Sequence, residues 1–134
     1  MAKKILLVEE EPTMQQYYED LLEKEGYEVF VSLDGKSAVR LMNKQTFDLI
    51  LLDIFMPILN GIEILEMIKA GKIKKVQGSI LILTNLEPEN IQELRELYQK
   101  HDNNPENLSV KEHIVKGRIS EEEFLRKIRK NFLY

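Results

Sequence analysis

A chain of 134 residues with 43% hydrophobic and 31% charged residues has the size and make-up of one soluble globular domain with a sizeable core, and is short for two. The absence of cysteine excludes disulfides and thiolate metal centres, and it makes the cytoplasm the expected compartment. The net charge of −4 disfavours direct nucleic-acid binding, and the four apolar residues after Lys4 are too few for an export signal or a membrane span.

Taken in order, five short apolar runs alternate with segments whose apolar residues recur every three or four positions, which is the pattern of βαβ units. Ile5-Leu6-Leu7-Val8 is the first predicted strand, and Met14, Tyr17, Tyr18, Leu21 and Leu22 form the stripe of the first helix. Glu28-Val29-Phe30-Val31 is the second strand, followed by a stripe of Ala38, Leu41 and Met42. Leu49-Ile50-Leu51-Leu52 is the third strand, with Gly61, Ile64, Leu65 and Ile68 after it. Ile80-Leu81-Ile82-Leu83 is the fourth, with Ile91, Leu94, Leu97 and Tyr98 after it. A loop over residues 101–109 leads to a weak fifth strand, His113-Ile114-Val115. The final helix carries Phe124, Leu125, Ile128 and Phe132, and Ser120 with Glu123 reads as its capping box. The first, third and fourth runs are apolar throughout, as parallel strands covered on both faces require. The fold class is α/β, a doubly wound parallel sheet with helices on both faces.

In such sheets chemistry collects beyond the carboxyl ends of the strands. Glu9, Glu10 and Glu11 follow the first run, Asp53 the third, Thr84 and Asn85 the fourth, and Lys116 the fifth. Clustered carboxylates call for positive charge, and a hard divalent ion such as magnesium takes oxygen donors together with phosphate oxygens. Glu9, Glu10 and Asp53 are its expected protein ligands. Asp53 is the candidate nucleophile for an aspartyl-phosphate, with Lys116 neutralising the phosphoryl oxygens and Thr84 donating a hydrogen bond to one of them. Singly, each residue has a plainer reading: an acidic first helical turn, a loop carboxylate, a turn threonine, a surface lysine. Their joint placement at strand ends of one sheet favours the chemical reading.

The chain resembles the receiver domains of response regulators in two-component phosphorelay systems, over nearly its whole length. The resemblance is carried by Lys4-Ile5-Leu6-Leu7-Val8-Glu9-Glu10-Glu11-Pro12, Gly26-Tyr27-Glu28-Val29 and Asp34-Gly35. It continues through Phe47-Asp48-Leu49-Ile50-Leu51-Leu52-Asp53-Ile54-Phe55-Met56-Pro57 with Asn60-Gly61, Ile82-Leu83-Thr84 and Ile114-Val115-Lys116. It implies a single receiver domain over residues 1–134 and a flavodoxin-like, five-stranded sheet in the order 2-1-3-4-5. Asp53 becomes the phospho-acceptor, Thr84 the switch hydroxyl, and the backbone carbonyl of Phe55 a further ligand of Mg²⁺ or another divalent cation. The implied partners are a sensor histidine kinase or phosphotransfer protein, and then a downstream protein or an output domain of the same chain. A homodimer formed on phosphorylation is one such output. A signalling module is implied, not an enzyme acting on other substrates.

The pattern departs from the family in four places. Glu9-Glu10 stands where Asp-Asp or Glu-Asp is usual, and Gly117 where a proline, often cis, follows the lysine. A cis bond without proline costs about 2.5–4 kcal/mol, so a trans bond and a reshaped loop are expected. The segment from Thr84 to Lys116 is longer than usual, and His113 occupies the aromatic switch position. Phe55 and Leu86, two residues after Asp53 and Thr84, are apolar and are expected to shield a phospho-aspartate from water. The alternative function is a pseudo-receiver, a binding module independent of phosphorylation, which the glutamate pair and Gly117 favour and the joint presence of Asp53, Thr84 and Lys116 opposes.

Overall fold

The computed structural model describes residues 2–56, 58–73, 78–85 and 109–132. Five parallel strands form one sheet in the order β2-β1-β3-β4-β5: β1 (Lys4–Val8), β2 (Glu28–Ser32), β3 (Leu49–Asp53), β4 (Ser79–Thr84) and β5 (Ser109–Val115). Four helices are described: α1 (Pro12–Lys24), α2 (Gly35–Lys44), α3 (Gly61–Lys69) and α4 (Glu121–Lys130). The stripe from Ile91 to Tyr98 and most of the loop expected over 101–109 lie outside the described residues. Ser109 itself is corrected from loop to strand, because β5 begins there and runs longer than the three residues predicted.

The all-apolar strands are explained by a two-sided core. Side chains alternate between the faces of a strand. Leu6, Val8, Ile50, Leu52, Ile80 and Ile82 therefore pack on one face with Ala38 and Met42 of α2 and Ile64, Leu65 and Ile68 of α3. Ile5, Leu7, Leu49, Leu51, Leu81 and Leu83 pack on the other with Tyr18, Leu21 and Leu22 of α1 and Phe124 and Ile128 of α4. Each fully buried side chain of this kind contributes about 1.5–3 kcal/mol. Tyr17, expected in the α1 stripe, is instead 42% exposed at its edge.

The helix starts are set by side-chain caps. Glu11 caps α1 by accepting from Thr13 N and Met14 N ahead of Pro12, whose missing N–H costs nothing there. Asp34 caps α2, and Asn60 caps α3 in a reciprocal box with Glu63. At α4 Ser120 accepts from Glu123 N, which is one half of the expected capping box, while the Glu123 carboxylate lies 3.6 Å from Arg126 instead of bonding back; the first turn is acidic and the last basic, as the helix dipole favours. Gly61 opens α3 where a Cβ would lie 2.7 Å from the carbonyl oxygen of Asp53, so only glycine lets this helix start against the end of β3.

Between β3 and α3, Ile58 is 81% exposed with φ at +70°, a left-handed conformation that a β-branched residue adopts only under strain. Such strain costs about 1–3 kcal/mol, against about 0.5–1 kcal/mol for the extra chain entropy of glycine. Ile58→Gly is therefore expected to stabilise the fold by about 1 kcal/mol and to raise the melting temperature by roughly 3 °C. Thermal unfolding followed by circular dichroism checks this, and a lower melting point would show that the isoleucine side chain is held by favourable packing.

Candidate functional site

Strand register places the polar residues at one end of the sheet. Val8 pairs with Leu52, so Glu9 stands beside Asp53, the last residue of β3. Asp53 pairs with Leu83, which puts Thr84 one position further along, and Thr84 pairs with Val115, which puts Lys116 one further again. The backbone fixes this staircase: Ile54 N donates to Leu83 O at 3.2 Å and Lys116 N to Thr84 O at 2.7 Å.

The centre is an ammonium held by two carboxylates. Lys116 Nζ donates to Glu9 Oε1 at 2.7 Å and to Asp53 Oδ2 at 3.2 Å, with all three side chains almost wholly buried. The other carboxylate oxygens are occupied locally: Glu9 Oε2 accepts from Glu11 N at 3.2 Å and Asp53 Oδ1 from Phe55 N at 3.1 Å. One positive charge thus faces two negative ones. Burial first, then the hydrogen bond and charge of Glu9, push Asp53 up to about 7, with Lys116 pulling the other way.

That excess negative charge, carried on oxygen donors, fits a hard divalent cation. The protein's own share is smaller than the sequence suggested. Among the described residues no three acidic or histidine side chains gather closely enough to hold a metal ion together. Glu9 is buried in the centre, Glu10 is exposed beside it, and Glu11 is turned to capping α1. Two buried carboxylates, Glu9 and Asp53, are what the centre offers.

Thr84 is buried at the end of β4, and Phe55 is 53% exposed beside Asp53. Leu86, expected to act with Phe55, lies outside the described residues, as does the side chain of His113. Gly117 has φ at +77°, which proline could not adopt, and the described peptide bonds are all trans, so the loop after Lys116 follows a different path from an X-Pro turn. Tyr18, expected in the apolar stripe of α1, is buried in the core there.

A family model described as "Response regulator receiver domain" matches residues 5–101. Among solved structures the chain is similar to the Vibrio cholerae chemotaxis protein CheY4, at 26% identity and a TM-score of 0.75 over 98% of this chain and 99% of that one. It is similar to the receiver domain of sensor histidine kinase PA1611 from Pseudomonas aeruginosa, determined with a magnesium ion coordinated in the active site cleft. Identity there is 27% and the TM-score 0.76, over 98% of both chains. The response regulator TrrA from Thermotoga maritima, in complex with Mg(2+)-BeF, matches at 27% identity and a TM-score of 0.72 over 96% of this chain and 97% of that one.

Proposed function

Because the chain belongs to the response-regulator receiver family, we propose that it accepts a phosphoryl group on Asp53 and uses it to change the surface it presents to partners. The observation that carries this reading is Lys116 shared between Glu9 and Asp53, side chains brought together from three strand ends. A structural ion pair would need one carboxylate. Two buried carboxylates on one ammonium leave a centre short of positive charge, suited to a cation and a phosphoryl group together.

An oxygen of Asp53 attacks the phosphorus of the donor, forming a P–O bond as the bond to the leaving group breaks, and the leaving group departs with the electron pair. Phe55 N, which donates to Asp53 Oδ1, orients the carboxylate for this attack. Lys116 shifts its hydrogen bond from Asp53 to an incoming phosphoryl oxygen, and Thr84 donates to another. A divalent cation, for which Mg²⁺ is the natural choice, would be held by Glu9 and Asp53 with the Phe55 backbone carbonyl and Glu10 at its edge. When bound, it neutralises charge on the phosphoryl oxygens. PA1611 and TrrA, each determined with magnesium, support that choice. The donor is a sensor histidine kinase or a phosphotransfer protein, and the readout is a downstream protein or an output domain.

Intact-mass spectrometry after incubation with magnesium and acetyl phosphate tests the proposal. One phosphoryl group is expected on the native chain and none on Asp53→Asn. A native chain that gains no mass would instead be a pseudo-receiver, and an Asp53→Asn variant labelled at the native rate would place the acceptor elsewhere.

A further inference from the structure

Glu11 is exposed at the start of α1, yet each of its polar groups is engaged. Its carboxylate caps the helix with both oxygens, Oε1 accepting from Thr13 N at 3.1 Å and Oε2 from Met14 N at 2.8 Å. Its carbonyl accepts from Gln15 N at 2.9 Å, as the carbonyl of a capping residue does. Its own N–H points away from the helix and donates to Glu9 Oε2 at 3.2 Å. Glu9 Oε1 in turn accepts from Lys116 Nζ at 2.7 Å, and the same ammonium donates to Asp53 Oδ2 at 3.2 Å. Hydrogen bonds of Glu11, Glu9 and Lys116 in succession thereby join the first turn of α1 to Asp53.

The donors of Glu9 differ in how firmly they are held. Glu9 is wholly buried, and one of its donors is an ammonium on a flexible four-carbon stem while the other is a backbone amide. The amide is the fixed reference of the two, as long as residue 11 keeps its conformation. Pro12 confines the residue before it to extended backbone, and Glu11 stands there at φ −84° and ψ 114°. The two-oxygen cap then holds it to one conformation within that region. Short side chains are the favoured caps, so a glutamate here orders more bonds and in return takes two N–H groups.

We propose that Glu11 is a positioning residue of the Asp53 centre: by clamping the first turn of α1 it fixes its own N–H against Glu9 Oε2, and this turns Glu9 Oε1 towards Lys116. Groups one step removed from a charged centre commonly change its behaviour by about tenfold or more. The effect on phosphoryl transfer rests on the reading of Asp53 given above, whereas the effect on Lys116 does not.

The test compares the native chain with Glu11→Ala, Glu11→Asp and, as a control, Asp34→Ala, which removes the cap of α2, a carboxylate bonded to Ser37 N. One cap is a small part of the stability of a domain, so these variants fold. Hydrogen exchange of the Lys116 ammonium is read by nitrogen-15 NMR, phosphorylation by acetyl phosphate by intact mass, and the melting temperature by circular dichroism. Glu11→Ala and Asp34→Ala should both melt below the native chain. Only Glu11→Ala should exchange the Lys116 ammonium faster, by about tenfold, with phosphorylation slowed by a similar factor. Glu11→Asp keeps a capping carboxylate and should restore native exchange. Unchanged Lys116 exchange in Glu11→Ala overturns the proposal, and so does an equal acceleration in Asp34→Ala, which would assign the effect to lost stability alone. A Glu11→Asp variant that melts like the native chain yet exchanges as fast as Glu11→Ala overturns it as well. If the native chain takes no phosphoryl group, the Asp53 reading fails while the Lys116 comparison still decides the role of Glu11.

Discussion

Asp53→Asn is expected to stabilise the fold above neutral pH and to leave it nearly unchanged near pH 4. Asp53 is raised from an ordinary 3.8 to about 7 by burial and then by Glu9. The folded chain therefore binds a proton at Asp53 between about pH 4 and pH 7 that the unfolded chain has released. Stability from this group is fully present below the unfolded value and is lost as pH rises through the folded one. At pH 8 the loss is on the order of 2–4 kcal/mol, since every tenfold gain in proton affinity on folding corresponds to about 1.4 kcal/mol. Asparagine carries no such charge. Its oxygen can accept from Phe55 N or Lys116, and its amide can donate to Glu9, turning a repulsion into a hydrogen bond. The melting temperature of Asp53→Asn should exceed the native value by roughly 5–10 °C at pH 8, and the difference should close towards pH 4. Glu11 and Asp34, held below the usual carboxylate range mainly by backbone N–H groups, lose their contributions as pH falls, but they do so equally in both proteins and cancel from the difference. Magnesium should raise the melting temperature of the native chain at pH 8 and do little for the variant. Parallel curves across the whole range would mean that Asp53 titrates as an ordinary surface carboxylate.

Much of this was legible in the sequence because the fold ties chemistry to strand ends. Asp53, Thr84 and Lys116 each follow or close an apolar run, and once the runs are aligned in a parallel sheet the three are brought to one edge whatever the loops do. The sheet order was implied by the resemblance to the receiver family and not by the apolar pattern, which is symmetrical enough to suit other orders. Residue type failed where neighbours of the same kind take different directions. Glu9, Glu10 and Glu11 are identical in sequence, yet the chain leaves β1 and turns into α1 across them, so one is buried in the centre, one is exposed and one caps the helix. Tyr17 and Tyr18 divide likewise, one at the rim of α1 and the other in the core. The start of β5 was missed because Ser109, Lys111 and Glu112 interrupt the apolar pattern in a strand that, among the described residues, is at the sheet edge, where continuous apolar character is not required. The left-handed backbone at Ile58 had no sequence signal at all, since isoleucine is among the residues least suited to it.

Lys116→Met should be the most destabilising single change in the site. Methionine keeps the apolar length of the lysine stem but removes the ammonium that Glu9 and Asp53 share at 2.7 and 3.2 Å. Burial alone would drive the lysine towards its neutral form. The hydrogen bond to Glu9 and the charges of Asp53 and Glu9 outweigh burial and raise its affinity for the proton, so its contribution is fully present below 10.5 and disappears only as pH climbs through the higher folded value. Removing one partner from a buried ionic group strands the charges left behind, at a cost of about 3–5 kcal/mol. At pH 8 the melting temperature should therefore fall by roughly 10 °C or more, and phosphoryl transfer from acetyl phosphate by about 100-fold, the usual cost of losing one group that stabilises developing charge. The stability loss should be smaller at pH 5, where Asp53 is protonated and a single carboxylate is stranded instead of two. It should also shrink when Asp53→Asn is added, because the second substitution removes the repulsion exposed by the first. A coupling of about 1–3 kcal/mol between the two substitutions is the expected signature of side chains in direct contact. Additive effects at pH 8 would mean that Lys116 acts on Glu9 alone, and the centre would then be an ion pair beside Asp53 and not a site built around it.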